Sequence, residues 1–286
     1  MDYVIDVKNL NYTYKDFQLK NINLQIPTGV ILGVVGENGA GKSTLIKSML
    51  GIIPANYETM NILGKEFSLE ETNIKQDMAV IFDKTYYNPM FTPLIIGKIV
   101  SKIYKNWDMN MYFKYLERFQ IPKKKKVKEL SKGMVMKLEF AIALSHSPKL
   151  LILDEATNGF DPLFREEFLE LLREFVEDER CSVIICSHIT SDLDKIVDYV
   201  AYMKEGTLAF VKTYDEMRSN YGIVRCKKQV LESLWEEDVV SYIKEAYGYK
   251  VLVKNKIALS HVFSDLEMEN VTIEDIMLFY EKGERL

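Results

Sequence analysis

The chain has 286 residues, of which 48% are hydrophobic and 28% are charged, a composition typical of a folded globular protein and not of a disordered one. Its net charge of -5 is mildly acidic, which argues against a protein that binds nucleic acid by neutralising phosphates. The three cysteines lack metal-ligand spacing and are odd in number, which excludes a disulfide framework and a zinc site as the basis of the fold.

The apolar runs of the chain are short. Residues 30–35 and 150–153 are examples, and both fall far below the roughly 20 residues that a membrane-spanning helix needs. Residues 1–6 have neither the basic start nor the apolar stretch of a secretory signal. We therefore expect a cytoplasmic protein.

The N-terminal part changes its pattern at a turn formed by residues 27–29. Before it, Ile22, Leu24 and Ile26 alternate with polar residues, which predicts a half-buried strand in an antiparallel region. From Val30 onward an unbroken apolar strand, a glycine-rich turn and a helix follow one another. This order predicts the start of a parallel α/β core.

Residues from about 84 to 148 predict a helical insert. Thr92 followed by Pro93 is typical of a helix start. The spacing of Ile95, Ile99 and Ile103 then predicts the buried stripe of that helix.

Beyond the insert, the apolar runs 150–153 and 183–186 predict two more buried strands, separated by an amphipathic helix. Asp161 is expected to cap that helix and Pro162 to be its first residue. A hairpin around residues 204–206 is expected to close the core. After residue 213 the alternation becomes less regular, and the simplest interpretation is an accessory domain of residues 214–286; no internal repeat is visible, so we expect one catalytic unit.

The strongest functional motif is the pattern G-x-x-x-x-G-K-S between the strand that starts at Val30 and the helix that follows it. Its glycines let the backbone approach phosphates, and the backbone N–H groups form an anion cradle with the helix N-terminus. Lysine would contact the β- and γ-phosphates, and the serine hydroxyl would be a ligand of Mg²⁺. The predicted nucleotide-binding residues of this loop are Gly36, Glu37, Asn38, Gly39, Ala40, Gly41, Lys42, Ser43 and Thr44.

Two adjacent carboxylates follow the strand at residues 150–153. The carboxyl end of a strand in an α/β sheet is where ligands bind, and this position suits Asp154 for the Mg²⁺ shell. Glu155 is then positioned to orient and polarise the attacking water.

A further motif, Leu130-Ser-Lys-Gly-Met, opens a helix before the Asp-Glu strand. Together with the phosphate loop it resembles the L-S-G-G-Q signature of the ABC (ATP-binding cassette) ATPases, with departures at Lys132 and Met134. The resemblance covers residues 2–213 and implies an α/β, P-loop NTPase core with an antiparallel β subdomain, an inserted helical subdomain and a small C-terminal α+β extension. In that family the signature, here Ser131 and Gly133, contacts the γ-phosphate of ATP held by a second cassette.

Three further matches occur in the family's order. The segment 158–161, which ends at Asp161, resembles the D-loop, and His188 resembles the switch histidine that contacts the γ-phosphate. Tyr14 resembles the aromatic residue that stacks on adenine, although Tyr12 and Phe17 compete for this role.

Asp83 stands where family members usually have a glutamine, at the loop that joins core and insert. An aspartate there can be a Mg²⁺ ligand, or it can simply belong to a turn. The aromatic segment 86–93 that follows is where the family receives the coupling helix of a membrane subunit, although burial inside the insert is the alternative.

The resemblance therefore predicts an ATP-hydrolysing subunit, with ATP and Mg²⁺ as cofactors, that powers a separate membrane-spanning subunit as a homo- or heterodimer of cassettes. The chain is similar to the single-cassette ATPases of bacterial exporters for antimicrobial and cytotoxic peptides, of the bacitracin and phenol-soluble-modulin types. The resemblance implies a location on the inner face of the cell membrane. The alternatives are a soluble regulatory ATPase that acts on a cytosolic partner, and a nucleotide-binding module with little turnover. No nucleic acid is expected as a partner. A solvated turn between helices accounts for the lysine run 123–126, and the alternative is a patch that attracts an anionic surface, either lipid headgroups or nucleic acid.

Overall fold

The computed structural model describes residues 2–68, 72–157, 160–263 and 267–286. Its strands are β1 (Tyr3–Tyr14), β2 (Phe17–Pro27), β3 (Ile31–Val35), β4 (Thr59–Ile62), β5 (Lys65–Glu66), β6 (Met78–Phe82), β7 (Leu150–Asp154), β8 (Ser182–Cys186), β9 (Tyr199–Lys204), β10 (Thr207–Thr213), β11 (Gly222–Cys226), β12 (Val239–Glu245), β13 (Gly248–Val253) and β14 (Met268–Asn270). Its helices are α1 (Lys42–Met49), α2 (Thr72–Gln76), α3 (Pro93–Val100), α4 (Met109–Arg118), α5 (Lys132–Leu144), α6 (Pro162–Val176), α7 (Thr190–Ile196), α8 (Tyr214–Asn220), α9 (Lys228–Leu231), α10 (Lys256–Val262) and α11 (Ile273–Lys282). None of the helices in these ranges has both the length and the apolar character needed to cross a bilayer.

A six-stranded sheet forms the centre of the molecule, in the order β10-β9-β3-β8-β7-β6. All neighbouring strands from β9 to β6 are parallel, and β10 closes the edge as the antiparallel partner of β9 in the predicted hairpin. Every residue of β3, β7 and β8 is buried, as expected for parallel strands that are covered on both faces. The carboxyl ends of these strands consequently meet at one edge of the sheet.

The antiparallel sheet β2-β1-β4-β5 covers one face of the central sheet. Ile22, Leu24 and Ile26 are at most 1% exposed, so the prediction of their burial is confirmed. They share an apolar core with Leu32 and Val34 of β3. This packing fixes the position of the strand from which the phosphate loop starts.

The helical insert contains α3, α4 and α5, and α3 starts at the predicted cap, where the Thr92 side chain accepts a hydrogen bond from the Ile95 N–H at 3.3 Å. The predicted buried stripe is wrong, because Ile95, Ile99 and Ile103 are 41%, 42% and 58% exposed. The buried face of α3 instead carries Ile96 and Val100.

A close contact between α3 and α4 explains this difference. A Cβ atom on Gly97 would lie only 2.5 Å from the Tyr112 ring, so the tyrosine occupies the space that a side chain at position 97 would need. Ile96 and Val100 flank this contact and are buried with Tyr112 in one core. The packing of α3 against α4 therefore buries the face of Ile96 and Val100 instead of the predicted one.

The C-terminal residues form a third sheet, β12-β13-β11-β14, together with α8 to α11. A capping box starts α11, where the Thr272 hydroxyl accepts a hydrogen bond from the Asp275 N–H at 3.1 Å. This unit packs on the central sheet. The Tyr280 ring lies 5.4 Å from the ring of buried Tyr202, and Lys204 lies 3.3 Å from Glu281.

A chain shortened to end at Thr213 should keep ATP binding but unfold at a temperature lower by on the order of 10 °C, because removal of α11 exposes Tyr202, which is 0% exposed in the full chain. Phe210 loses the same cover, since its ring lies 5.2 Å from that of Tyr280. Calorimetry and equilibrium ATP binding of the folded fragment would measure both effects. Loss of binding by a demonstrably folded fragment would show that residues 214–286 form part of the nucleotide site.

Candidate functional site

A cleft of about 560 Å³ opens at the carboxyl edge of the central sheet and contains most of the predicted loop residues. Three glycines of the phosphate loop have positive φ angles that few other residues adopt, 151° at Gly36, 90° at Gly39 and 108° at Gly41. A Cβ atom on Gly36 would lie 2.3 Å from the Met203 carbonyl oxygen. The residues that line the cleft are Phe17, Asn38, Gly39, Gly41, Lys42, Ser43, Thr44, Asp83, Glu155 and His188.

Lys42 is the first residue of α1, and its ammonium group turns back towards the loop. Its Nζ donates hydrogen bonds to the carbonyl oxygens of Gly36 at 2.7 Å and Glu37 at 3.1 Å. The side chain is only 7% exposed. The loop therefore holds a positive charge at the helix N-terminus, where the helix dipole also favours an anion.

Ser43 and Asp154 meet although they are far apart in the sequence. The Ser43 hydroxyl donates to Asp154 Oδ1 at 2.9 Å. Burial raises the pKa of the Asp154 carboxyl above its ordinary value, an effect that the Ser43 hydrogen bond opposes. The structure thus places two oxygen ligands of the kind that Mg²⁺ prefers side by side at the end of β7.

Glu155 and His188 form a close polar contact in the site. His188 Nδ1 lies 2.6 Å from Glu155 Oε2. Glu155 has a positive φ of 57°, a conformation that costs energy for a non-glycine residue. Its N–H donates to the Cys186 carbonyl at 2.9 Å, which fixes the residue between β7 and β8. The contact orients a carboxylate and an imidazole towards the cleft.

The aromatic residue on the cleft wall is Phe17. Its ring closes on the phosphate loop, because a Cβ on Gly41 would lie 2.7 Å from Phe17 Cζ. Tyr14 is 58% exposed and does not line the cleft described here. The adenine role of Tyr14 stays a prediction, and Phe17 is the residue that the geometry favours.

The residues of the predicted signature lie outside the wall of this cleft. Ser131 is exposed and caps α5, its hydroxyl accepting from the Met134 N–H at 3.2 Å. Lys132 is the first residue of α5 and does not have a positive φ, so the lysine imposes no backbone strain there. Neither Ser131 nor Gly133 contributes to the cleft wall. The exposed start of α5 is therefore free to face another molecule.

Asp161 caps α6 as predicted, accepting a hydrogen bond from the Phe164 N–H at 3.0 Å. Its carboxylate also lies 3.9 Å from Lys137 Nζ on α5, so the D-loop side and the signature helix are in contact. The hydrogen bond from the Phe164 N–H holds the pKa of the Asp161 carboxyl below its ordinary value, and the charge of Lys137 adds a smaller effect in the same direction. Asn158 and Gly159, the first two residues of the predicted D-loop, lie outside the described residues.

The Glu139 carboxyl group also lies in this region and was not predicted from the sequence. Glu139 lies half-buried on α5, where the side chain of Thr85, two residues after Asp83, hydrogen-bonds to it. Burial raises the pKa of Glu139 to about 7. The available sequence signal was a single glutamate among the apolar residues of α5. Its position relative to those residues was the same as that of a glutamate on the exposed face of a helix.

Stability should depend on pH through Glu139. Because its pKa is raised from the ordinary 4.5 to about 7 on folding, its stabilising contribution is complete below pH 4.5 and is lost as the pH rises through 7. Glu139→Gln, which stays uncharged, should raise the free energy of unfolding by on the order of 2 kcal/mol at pH 8 and give no gain at pH 4.5. Urea unfolding at the two pH values measures this, and equal effects at both would contradict the assignment.

The chain was compared with known protein families and sequences. A family model described as ABC transporter matches residues 19–158. The lantibiotic transport ATP-binding protein SrtF of Streptococcus pyogenes is 31% identical over 225 residues, which cover 74% of this chain and 92% of that protein. The bacitracin transport ATP-binding protein BcrA of Enterococcus faecalis is 33% identical over 218 residues, covering 73% of this chain and 68% of that protein.

Solved structures of ATP-binding cassettes from ABC transporters are also similar to this chain. The structure of cbiO1 from Clostridium perfringens, part of the ABC transporter complex cbiONQ, has a TM-score of 0.62 and 27% identity, with 74% of this chain and 89% of that chain covered. A dimeric ATP-binding cassette in a post-hydrolysis state with ADP and Pi has a TM-score of 0.65 at 21% identity, with 73% of this chain and 98% of that chain covered, and shares the fold. The chain therefore belongs to the ABC transporter family and is one of its ATP-binding cassettes, an ABC ATPase.

Proposed function

We propose that this chain is the motor subunit of an exporter for peptides or antimicrobials, and that it hydrolyses ATP in the described cleft to drive separate membrane subunits. The contact that carries the proposal is the 2.6 Å pair of Glu155 and His188 beside the phosphate loop. The transport roles in the names of SrtF and BcrA support an antimicrobial peptide as cargo.

In the proposed mechanism Lys42 and the loop N–H groups bind the β- and γ-phosphates of ATP. The Glu155 carboxylate orients the attacking water and accepts its proton, since phosphoryl transfer depends mainly on positioning and charge stabilisation. His188 holds that carboxylate in place and contacts the γ-phosphate. Loss of the γ-phosphate would then be transmitted through His188 to α7, which begins two residues later.

Mg²⁺ fits the oxygen ligands of this cleft. Ser43 and Asp154 would hold it, with Asp83 across the cleft as a further carboxylate close enough to act on the pKa of Asp154. The described residues contain no cluster of three His, Cys, Asp or Glu side chains that could hold a metal. We propose that substrate phosphates complete the coordination of the ion. When bound, Mg²⁺ would neutralise phosphate charge.

Two cassettes are proposed to close around two ATP molecules. Ser131 and Gly133 would contact the γ-phosphate bound by the second cassette, and Lys132 would add positive charge there. Ser131 is exposed and Gly133 is half-buried at the start of α5, and both lie outside the chain's own cleft, which supports this role. The contact of Asp161 with Lys137 would couple the D-loop to the same closure.

The membrane subunit is proposed to insert a short apolar helix into a second groove of about 280 Å³. This groove lies between β6 and Tyr104 of the helical insert. The carboxyl end of β6 is followed directly by Asp83, so a helix bound in the groove would lie next to the loop that joins core and insert. Ile52 on its rim is 56% exposed. The cassette would then reside in the cytoplasm, on the inner face of the membrane. The residues that line the groove are Leu50, Ile52, Phe67, Lys75, Met78, Val80, Phe82 and Tyr104.

The tagged chain purified from detergent-solubilised cells of its host should carry a polytopic membrane protein with it. Ile52→Glu should lower the amount of recovered membrane protein at least about 10-fold, because the new carboxylate would be buried without a charged partner in an apolar contact. Ile257→Glu in α10, at a side chain 64% exposed, is the matched control and should leave recovery unchanged. A cytosolic partner recovered in place of a membrane protein would contradict the proposal and favour a soluble regulator.

A further inference from the structure

The charge of this chain is strongly segregated along the sequence. Residues 84–148, which form the helical insert, contain 13 Lys and Arg but four Asp and Glu, a formal charge of +9. The whole chain carries -5, so the remaining residues carry -14. One subdomain is therefore a strong cation on an otherwise acidic molecule, and the field of such a molecule orients it near a charged surface.

The positive charges of the insert are available to a partner. Twelve of the 13 basic residues are lysines, and only Lys137 among these lysines forms an ion pair with a carboxylate in the part of the chain that the structure describes. Ten of the lysines are exposed. A solvent-exposed turn would account for the lysines of residues 123–126 but not for the basic residues in the rest of the insert. The exposed lysines are Lys84, Lys98, Lys102, Lys105, Lys114, Lys123, Lys124, Lys125, Lys128 and Lys132.

An apolar surface lies beside these lysines. Ile95 and Ile99 of α3 are 41% and 42% exposed. Lys98, three residues after Ile95, is exposed on the same helix, and exposed Lys102 follows in the turn after α3. The N-terminal end of α3 adjoins the lysine run, because the Leu94 N–H donates to the Lys123 carbonyl at 3.3 Å. Large apolar side chains next to lysines are the composition of a surface that lies in a membrane interface.

The choice of lysine over arginine distinguishes between anionic partners. Recognition of a folded protein surface favours arginine and is depleted in lysine, since the planar guanidinium forms bidentate contacts. A fluid layer of headgroups offers no fixed geometry, and a flexible stem with a point charge suits it equally well. The insert contains 12 lysines and one arginine.

We propose that the outer face of the helical insert, formed by Ile95, Ile99 and the lysines around residues 98–102 and 123–128, docks directly on anionic lipid headgroups. This contact goes beyond the proposed function, because it needs no membrane subunit. It holds the insert against the bilayer while the acidic remainder of the molecule faces away. The lysines supply long-range attraction, and the isoleucines enter the headgroup layer.

Co-sedimentation of the purified full chain with vesicles tests the proposal. Vesicles of phosphatidylcholine with about a third phosphatidylglycerol should bind the chain, and pure phosphatidylcholine vesicles should not. Each lysine near such a surface contributes about a five-fold factor, so the combined variant K123Q, K124Q, K125Q and K128Q should bind on the order of 100- to 1,000-fold more weakly. Binding by the parent should also fall steeply as salt is raised.

The matched control removes the same charge elsewhere, with K227Q, K228Q, K244Q and K254Q in the C-terminal unit, and should change vesicle binding less than about three-fold. Ile95→Ser with Ile99→Ser should weaken binding several-fold at unchanged charge. Equal binding to neutral vesicles, or equal losses in the two lysine variants, would overturn the proposal. Binding to single-stranded RNA without binding to anionic vesicles would overturn it as well. Recovery of the membrane subunit in detergent should be unaffected by the lysine variants, which separates this result from the proposed function.

Discussion

Replacing Glu155 by glutamine is expected to lower the rate of ATP hydrolysis by about 100-fold or more while ATP binding persists. The amide cannot accept the proton of the attacking water, and general-base contributions of this kind are worth roughly 10²- to 10⁴-fold. Lys42 and the phosphate loop are untouched, so the nucleotide stays bound. The variant should therefore accumulate as an ATP-bound dimer.

Phosphate release and equilibrium binding of ATP measure the two halves of this expectation. Glu170→Gln, at an exposed position of α6, makes the same chemical change away from the cleft and should leave both values at the parental level. Turnover by Glu155→Gln at the parental rate would mean that another group acts as the base. The 2.6 Å contact with His188 would then have only a structural role.

Replacing Ser131 by arginine is expected to abolish ATP-dependent dimerisation while a monomer still binds ATP. Ser131 is exposed at the N-terminus of α5, where its hydroxyl and the helix dipole favour a γ-phosphate presented by another cassette. An arginine side chain fills the space into which that phosphate must move. The monomer's own ligands Lys42, Ser43 and Asp154 lie in a different cleft and are unchanged.

The comparison is best made in the Glu155→Gln background, where the closed dimer should persist long enough for size-exclusion chromatography with light scattering. Lys132→Gly is the neighbouring control and should change dimerisation only modestly, because Lys132 already has ordinary helical backbone geometry. Dimerisation by Ser131→Arg at the parental level would show that α5 does not face the second nucleotide.

Local features of this protein were determined by the sequence alone. The phosphate loop, the cap of α3 at Thr92, the cap of α6 at Asp161 and the capping box at Thr272 all depend on residues within a few positions of one another. Their hydrogen bonds join residues that are at most a few positions apart in the sequence. The local pattern of residue types is therefore sufficient to specify these features. The roles of the nucleotide-site residues, by contrast, remain predictions that the two variants above test.

Tertiary structure decided the features that join distant segments. Tyr112 of α4 determined which face of α3 is buried, and the meeting of β7 with β8 brought Glu155 to His188 across 33 residues. Burial in the folded chain raises the pKa of Glu139 to about 7, and the hydrogen bond from Thr85 opposes this shift. Burial and electrostatic environment belong to whatever packs against a side chain, and periodicity along one segment carries no information about that partner.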